Sequence, residues 1–310
     1  MLTVNGDAVP ADLFLYMVAT NCMSMQSYLP YFGMTLADVA DTLMGESVNM
    51  AVYHNLIRQK AAELGCLPTD AQNAEIRAAM EEADLEANAP YWGLTESSSE
   101  LIFSISTYYD NVLEAATHIP SDAELDQYIA DQGVFAVKHI LLKTTDDQNN
   151  PLPDAEAAEK KATAEDLLAQ LQSAADMPAL FDELMLANSE DPGVETNPDG
   201  YVFNADDSLV GGFREAALAL KEGELSGIVE TDYGYHIMLR LPLTEDAKSE
   251  YRQSCRAAAM EEIISQWQEE ADIVRSDALN SLDPVDFYNR LSAYQQAMSE
   301  QNAPEDGGEG

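Results

Sequence analysis

Through the first 130 positions, apolar residues recur at three- and four-residue spacings between polar breaks, a pattern that predicts a string of about five helices. LTVNGDAVP reads as a short strand, an Asn-Gly turn and the start of a helix. Leu13, Met17, Val18 and Cys22 then repeat at helical spacing in a segment running to about Leu29. A longer helical pattern covers Leu36 to Leu64 and stops at Gly65, where a left-handed residue is expected to close it. Thr69 with Gln72, Ser97 with Glu100, and Ser121 with Glu124 all have capping-box spacing, in which the two side chains satisfy otherwise unpaired N–H groups at a helix start. The first opens an acidic helix to about Asn88, broken by Pro90 to Gly93. The others precede LIFSISTYYDNVLEAATHI and LDQYIADQ.

The period changes at about Val134. Ala136 to Leu142 is a strand-like apolar run carrying His139, followed by the polar loop TTDDQNNPLPDAE. A helix is expected from Ala155 to Ala174, with Ala162, Leu167, Leu168 and Leu171 lining one face, and Pro178 marks the first turn of the next, which runs into SEDPG. GYVF reads as a strand, SLVGGFREAALALKEG as a short helix with a glycine stop, and IVETDYGYHIMLRL as a hairpin that turns near Asp232 to Gly234 and carries His236. The order β, α, α, β, α, β, β describes a small α/β domain with an antiparallel-leaning sheet. Its two histidines, far apart in sequence, meet only if the ends of the segment pair in one sheet.

Beyond Leu243 the helical period returns. Tyr251, Cys255, Ala259, Ile263 and Trp267 stripe a helix from Asp246 to Ala271, and Asp283-Pro284 opens a last one. Between them ADIVRSDALNSLD contains a short strand expected to pair with LTVN, and the acidic, Gly-rich tail APEDGGEG is expected to be disordered. The fold class is therefore α+β. A helical domain formed from the N- and C-terminal segments (1–133 and 245–300, with a tail at 301–310) carries an inserted α/β domain at 134–244, built on a small antiparallel sheet flanked by helices.

At 310 residues the chain is long enough for about two domains, each with its own core. Lys plus Arg number 15 against 56 Asp plus Glu, a net charge of -41, so a phosphate backbone is repelled and nucleic acid is not expected as a partner. The acid is spread along the chain and reads first as a hydrated surface, with calcium binding or attraction of basic clients as alternatives. Cys22, Cys66 and Cys255 are odd in number, without CxxC, and read as small buried side chains. No run reaches the roughly 18 apolar residues of a membrane span, and no basic-then-apolar leader opens the sequence. Either the protein is cytoplasmic, or an export signal has been removed. His54 and His118 are isolated and read as structural or surface residues. Met17, Met23, Met25, Met34, Met44 and Met50 read as core, although pliable thioethers also suit a groove that accepts many apolar sequences.

HILLK, LFDELMLANSEDPG, GYVF and LVGGFREAALALKEGELSGIVETDYGYHI together resemble the parvulin-type peptidyl-prolyl isomerases, and the string from GELSGIV to GYHI is the most specific part. The flanking helical regions resemble the chaperone portion of extracytoplasmic foldases of the PrsA and SurA type. The resemblance implies that His139 and His236 are the family's paired histidines and that Thr231 is the threonine hydrogen-bonded to them. Asp191 falls where members carry cysteine or aspartate, Leu209 and Phe213 match the apolar wall that receives the proline ring, and Tyr233 holds a position often Ser or Phe. One departure stands out: where the family commonly has a Gly-Asp-Leu-Gly turn, this chain reads Asp199, Gly200, Tyr201, so that Tyr201 takes the place of a pocket leucine.

The implied activity is peptidyl-prolyl isomerisation with chaperoning of unfolded or nascent exported polypeptides containing X–Pro bonds. The implied location is extracytoplasmic and surface-held, with a signal or lipoprotein anchor removed; a homodimer is left open. Rotation about the peptide C–N bond crosses about 18–20 kcal/mol of resonance barrier and breaks no bond, so it calls for no metal, nucleophile or cofactor. It calls for an apolar seat for the prolyl ring and polar groups fitted to the twisted amide. Other readings remain: a purely architectural histidine pair, Asp191 as a loop cap before Pro192 and Gly193, a holdase without catalysis, or an adaptor that uses the fold as scaffold.

Overall fold

The computed structural model describes residues 2–146 and 148–302; Asp147 and the tail 303–310, including the stretch expected to be disordered, lie outside the described residues. β1 (Leu2–Val4) and β2 (Asp7–Ala8) form a hairpin through Asn5 and Gly6, both at positive φ (53° and 88°), the backbone a two-residue turn requires. α1 (Ala11–Gln26) follows. α2 (Ala40–Glu63) is preceded by a 3-10 turn at Leu36–Val39, so the long predicted helix begins with tighter winding. The Thr69–Gln72 box opens α3 (Asp70–Glu82).

α3 ends earlier than expected. Asp84 turns left-handed at φ 48°, a separate α4 (Leu85–Trp92) begins, and Pro90 lies inside it; Gly93, at φ 69°, closes it. α5 (Glu96–Ala116) is capped by Thr95 and not by Ser97. The Thr95 hydroxyl accepts the Ser98 N–H while donating to Asp12, a partner remote in sequence that local spacing does not reveal. α6 (Asp122–Asp131) starts at the expected Ser121–Glu124 box.

The remaining elements follow in the expected order: β3 (Phe135–Lys143), α7 (Asp154–Ser173), α8 (Met177–Asn188), β4 (Tyr201–Phe203), α9 (Phe213–Ala219), β5 (Val229–Thr231), β6 (Gly234–Leu241), α10 (Glu245–Glu270), β7 (Ile273–Arg275), α11 (Asp277–Asn280) and α12 (Pro284–Asn302). Asp283 Oδ1 caps the last helix by accepting the Val285 and Asp286 N–H groups at 2.9 and 3.1 Å. The chain divides into two compact units, Met1–His118 with Arg256–Gly310, and Ile119–Cys255.

In the first unit β7 pairs antiparallel with β1, Leu2 opposite Arg275 and Val4 opposite Ile273, so the two ends of the chain share one sheet of order β2-β1-β7. Leu13, Met17 and Val18 of α1 are buried with Leu43, Val52 and Leu56 of α2, and a second cluster joins Ile57 and Val112 to Met260 and Ile264. Cys22 is buried, and burial followed by the charge of Asp283 pushes its thiol up to about 11, leaving it protonated and inert. The methionines divide: Met17 is core, whereas Met23, Met34 and Met50 are exposed.

The second unit is built on an antiparallel sheet of order β4-β3-β6-β5. Strand alternation sorts its side chains to two faces. Ile140, Leu142, Ile237 and Leu239 pack under α7 and α8 through Leu167, Leu171, Phe181 and Met185. Phe135, Val137 and Met238 face the other way and are covered by Phe213 and Ala217 of α9. The molecule is thus an α+β protein in which a helical part drawn from both termini carries an inserted α/β unit.

Candidate active site

β3 and β6 pair with His139 opposite Met238 and Leu141 opposite His236. The two histidines therefore share a face, two residues apart along the strands, with ring centroids 5.3 Å apart. Phe213 presents an edge to both, at 5.1 Å from His139 and 5.2 Å from His236. It stands at the first position of α9, which begins where Gly212, at φ 82°, turns the chain and donates its N–H to Glu215 at 3.0 Å.

Asp191 is delivered by the loop after α8. β4 covers β3 only as far as Val137, and beyond it the loop takes over the open strand edge: the Leu141 N–H donates to Ser189 Oγ and the Glu190 N–H to the Leu141 carbonyl. The carboxylate then collects three hydrogen bonds. Oδ2 accepts from His139 Nε2 at 2.9 Å and from the Tyr201 hydroxyl at 2.6 Å, and Oδ1 accepts the Gly193 N–H at 3.1 Å. Burial opposes ionisation of Asp191, but the bonds from His139, Tyr201 and Gly193 outweigh it and hold the carboxyl well below the usual carboxylate range. Burial, and then the bond to Asp191, push the Tyr201 phenol above its ordinary value.

His236 Nε2 lies 2.8 Å from Thr231 Oγ1, which also accepts the Tyr233 N–H at 3.2 Å. Burial, then the neighbouring His139, pull His236 down to about 3, with Asp191 opposing, so it is neutral at pH 7. Thr231 thus anchors one histidine and not two. It sits on β5, the edge strand beside β6 among the described residues, and is a strand too distant for His139, whose anchor is Asp191. With Nε2 donating to Asp191, a neutral His139 ring keeps Nδ1 as an acceptor. Nδ1 of each histidine is buried without a hydrogen-bond partner among the described residues.

Leu209 is half-buried against the cluster of Phe213 and Met238. Phe213 itself is only 3% exposed. The Tyr201 ring stacks on Phe203 at 5.6 Å and 15° and lies 5.6 Å from His139. Tyr233 stands 44% exposed at the hairpin tip and joins the site through its backbone. The structure therefore brings His139, His236, Asp191, Thr231, Tyr201 and Phe213 together. Phe203, Val229 and Met238 belong to the same face and were not singled out by residue type, although Phe203 and Met238 follow Tyr201 and His236 at the two-residue period of a strand. Among the described residues no group of three or more His, Cys, Asp or Glu side chains could hold a metal ion.

Residues 139–241 match the family model described as Rotamase, the PPIC-type PPIASE domain. The chain carries a parvulin-type peptidyl-prolyl cis-trans isomerase domain. It is similar to the foldase protein PrsA of Halalkalibacterium halodurans, at 27% identity over 267 residues, covering 83% of this chain and 78% of that protein. The chaperone SurA of Thiobacillus denitrificans is 32% identical over 124 residues, 38% of this chain and 26% of SurA. The crystal structure of peptidylprolyl isomerase PrsA from Bacillus cereus aligns over 82% of this chain and 92% of its own, at 18% identity and a TM-score of 0.39. The chain thus joins a peptidyl-prolyl isomerase domain to flanking sequence similar to that of PrsA foldases and SurA chaperones, which supports isomerase and chaperone function.

Proposed function

We propose that residues 134–244 form the catalytic module, and that it rotates X–Pro bonds in unfolded exported polypeptides held by the helical part. The observation that carries this reading is the convergence of two imidazoles, a fixed carboxylate and an aromatic wall on one sheet face. In the planar amide, resonance places negative charge on the carbonyl oxygen; in the twisted state that charge recedes. The ionised Asp191, set beside the substrate carbonyl, disfavours the planar form relative to the twisted one. Leu209, the edge of Phe213 and Tyr201 seat the prolyl ring, with Tyr233 at the rim. Neutral His236, bonded to Thr231, and His139, bonded to Asp191, set the shape and polarity of the floor.

Clients are proposed to dock on the first unit at the end of α1, where Tyr28, Tyr31 and Phe32 are 64%, 86% and 76% exposed, with Met23 and Met34 also open. The first Lys or Arg of the sequence is Arg58, so this apolar patch lies in a stretch without either. It suits apolar client segments with basic flanks, whereas a second copy carrying the same net charge of -41 is repelled. We place this work outside the cytoplasm, at the cell surface, in line with the foldase resemblance. Among the described residues no helix is long and apolar enough to cross a membrane.

A holdase without catalysis is the second reading, favoured by the near-complete burial of Phe213. Proline-limited refolding of a client separates the two. Acceleration by the wild-type chain, reduced in Asp191→Ala and His139→Ala, supports the isomerase. Suppressed aggregation with no acceleration supports the holdase.

A further inference from the structure

We infer that Tyr201 is a positioning residue of this site, acting through Asp191, and that Gly193 lacks a side chain because the Tyr201 hydroxyl occupies the space. The inference rests on the isomerase reading above and deepens it at the one place where the sequence departs from the parvulin pattern. There Tyr201 brings a hydrogen-bond donor to the Asp191 carboxylate.

Three observations converge. The Tyr201 hydroxyl donates to Asp191 Oδ2 at 2.6 Å, the separation of a charge-assisted O–H···O⁻ bond, and Oδ2 is the atom that also receives His139 Nε2. The carboxylate cannot turn without breaking both bonds, so the tyrosine fixes the orientation of the histidine's anchor. The ring that carries the hydroxyl is itself held, stacked on Phe203 at 5.6 Å, with Tyr201 opposite Val137 and Phe203 opposite Phe135 in the sheet. Finally, a Cβ built on Gly193 would overlap the Tyr201 hydroxyl oxygen and come within 3.5 Å of Asp191 Oδ1. Gly193 is not among the residues at positive φ, so its backbone does not demand glycine; the hydroxyl does.

Gly200 completes the arrangement from the other side. At φ 96°, with a built Cβ 2.8 Å from the Val137 carbonyl, it lets the chain close onto β3 one residue before Tyr201. Residues 191–193 and 200–201 are therefore mutually fitted. An aliphatic residue at 201 would leave Asp191 Oδ2 with His139 as its remaining side-chain partner.

The test is a double-mutant cycle on the full chain. Tyr201→Phe keeps the ring and removes one hydroxyl; kcat is expected to fall about ten- to a hundredfold, the worth of one hydrogen bond to a charged group, with KM little changed. Gly193→Ala in the wild type is expected to have a similar effect by displacing the hydroxyl, and little further effect in the Tyr201→Phe background, where the obstructing atom is gone. A readout independent of activity is the ¹³C titration of the Asp191 carboxyl, whose midpoint should rise in Tyr201→Phe and in Gly193→Ala. An unchanged midpoint, or an equal effect of Gly193→Ala in both backgrounds, overturns the inference. A wild-type chain without isomerase activity whose Asp191 midpoint still responds to Tyr201→Phe would refute the catalytic reading and leave the pairing standing.

Discussion

His139 and His236 lie on neighbouring antiparallel strands two residues out of register, with ring centroids 5.3 Å apart, and each uses Nε2 for a different partner. Asp191 takes the first and Thr231 the second, so two loops distant in sequence, SEDPG and the β5–β6 turn, are locked to one sheet face. Several consequences can be measured.

Phe213 supports the unit as well as the site. It is 3% exposed and touches both imidazoles and Phe203, so Phe213→Ala should destabilise the α/β unit by roughly 3–5 kcal/mol, the usual cost of removing a buried phenyl ring. Leu209 is half-buried, and Leu209→Ala should cost less stability while weakening binding of a proline peptide. Urea unfolding and peptide titration of the two variants check this; equal stability losses would contradict the assignment of Leu209 to the open side of the wall.

Stability should fall with acid below neutrality. His236 is held neutral by burial, at about 3, whereas an unfolded histidine titrates near 6.5. As pH drops below 6.5 the unfolded chain takes up the proton that the folded chain refuses, so the contribution is complete above 6.5 and is lost progressively down to about 3. The slope from this group is at most about 1.4 kcal/mol per pH unit. Asp191, depressed below the ordinary range, adds a loss that begins only below the unfolded carboxylate value, near 3.9. Thermal melts between pH 7 and 5 should show the decline, and His236→Gln should make it shallower, the remainder belonging to His54, which burial and then Arg58 pull down to about 4. A parallel decline in that variant would mean another group carries the effect.

On the opposite face of the sheet Lys138 is 9% exposed, with its ammonium 2.7 Å from Asp182. Asp182→Ala strands that ammonium and should cost about 1–3 kcal/mol. Lys138→Met removes the need for a partner, keeps the aliphatic stem and should cost under about 1 kcal/mol. Chemical denaturation of the two variants gives the ordering, and the reverse ordering would show that the ion pair itself stabilises the sheet.

Most of this architecture is legible in local sequence. The capping boxes at Thr69 and Ser121, the Asn5-Gly6 turn, the succession of elements along the second unit and the short strand at Ile273–Arg275 all follow from spacing and turn chemistry. What is not legible depends on partners remote in the chain. Thr95 outcompetes Ser97 as a cap because Asp12 holds it. Asp84 breaks a helix whose period gave no warning. At the site, two-residue alternation places both histidines on a sheet, but the division of anchoring between Asp191 and Thr231 follows from strand order. The bond from Tyr201 to Asp191 spans a loop whose path no local rule gives.

The central claim is that this sheet face lowers the barrier to X–Pro rotation. Two-dimensional NMR exchange on a short proline peptide, with catalytic amounts of the full chain, measures that directly. The account predicts cis–trans exchange peaks that appear with the wild type and weaken strongly in Asp191→Ala and His139→Ala, with peptide-induced shifts at Leu209, Phe203 and Tyr233. Peptide exchange no faster than in buffer, with the same chain still suppressing client aggregation, would contradict it.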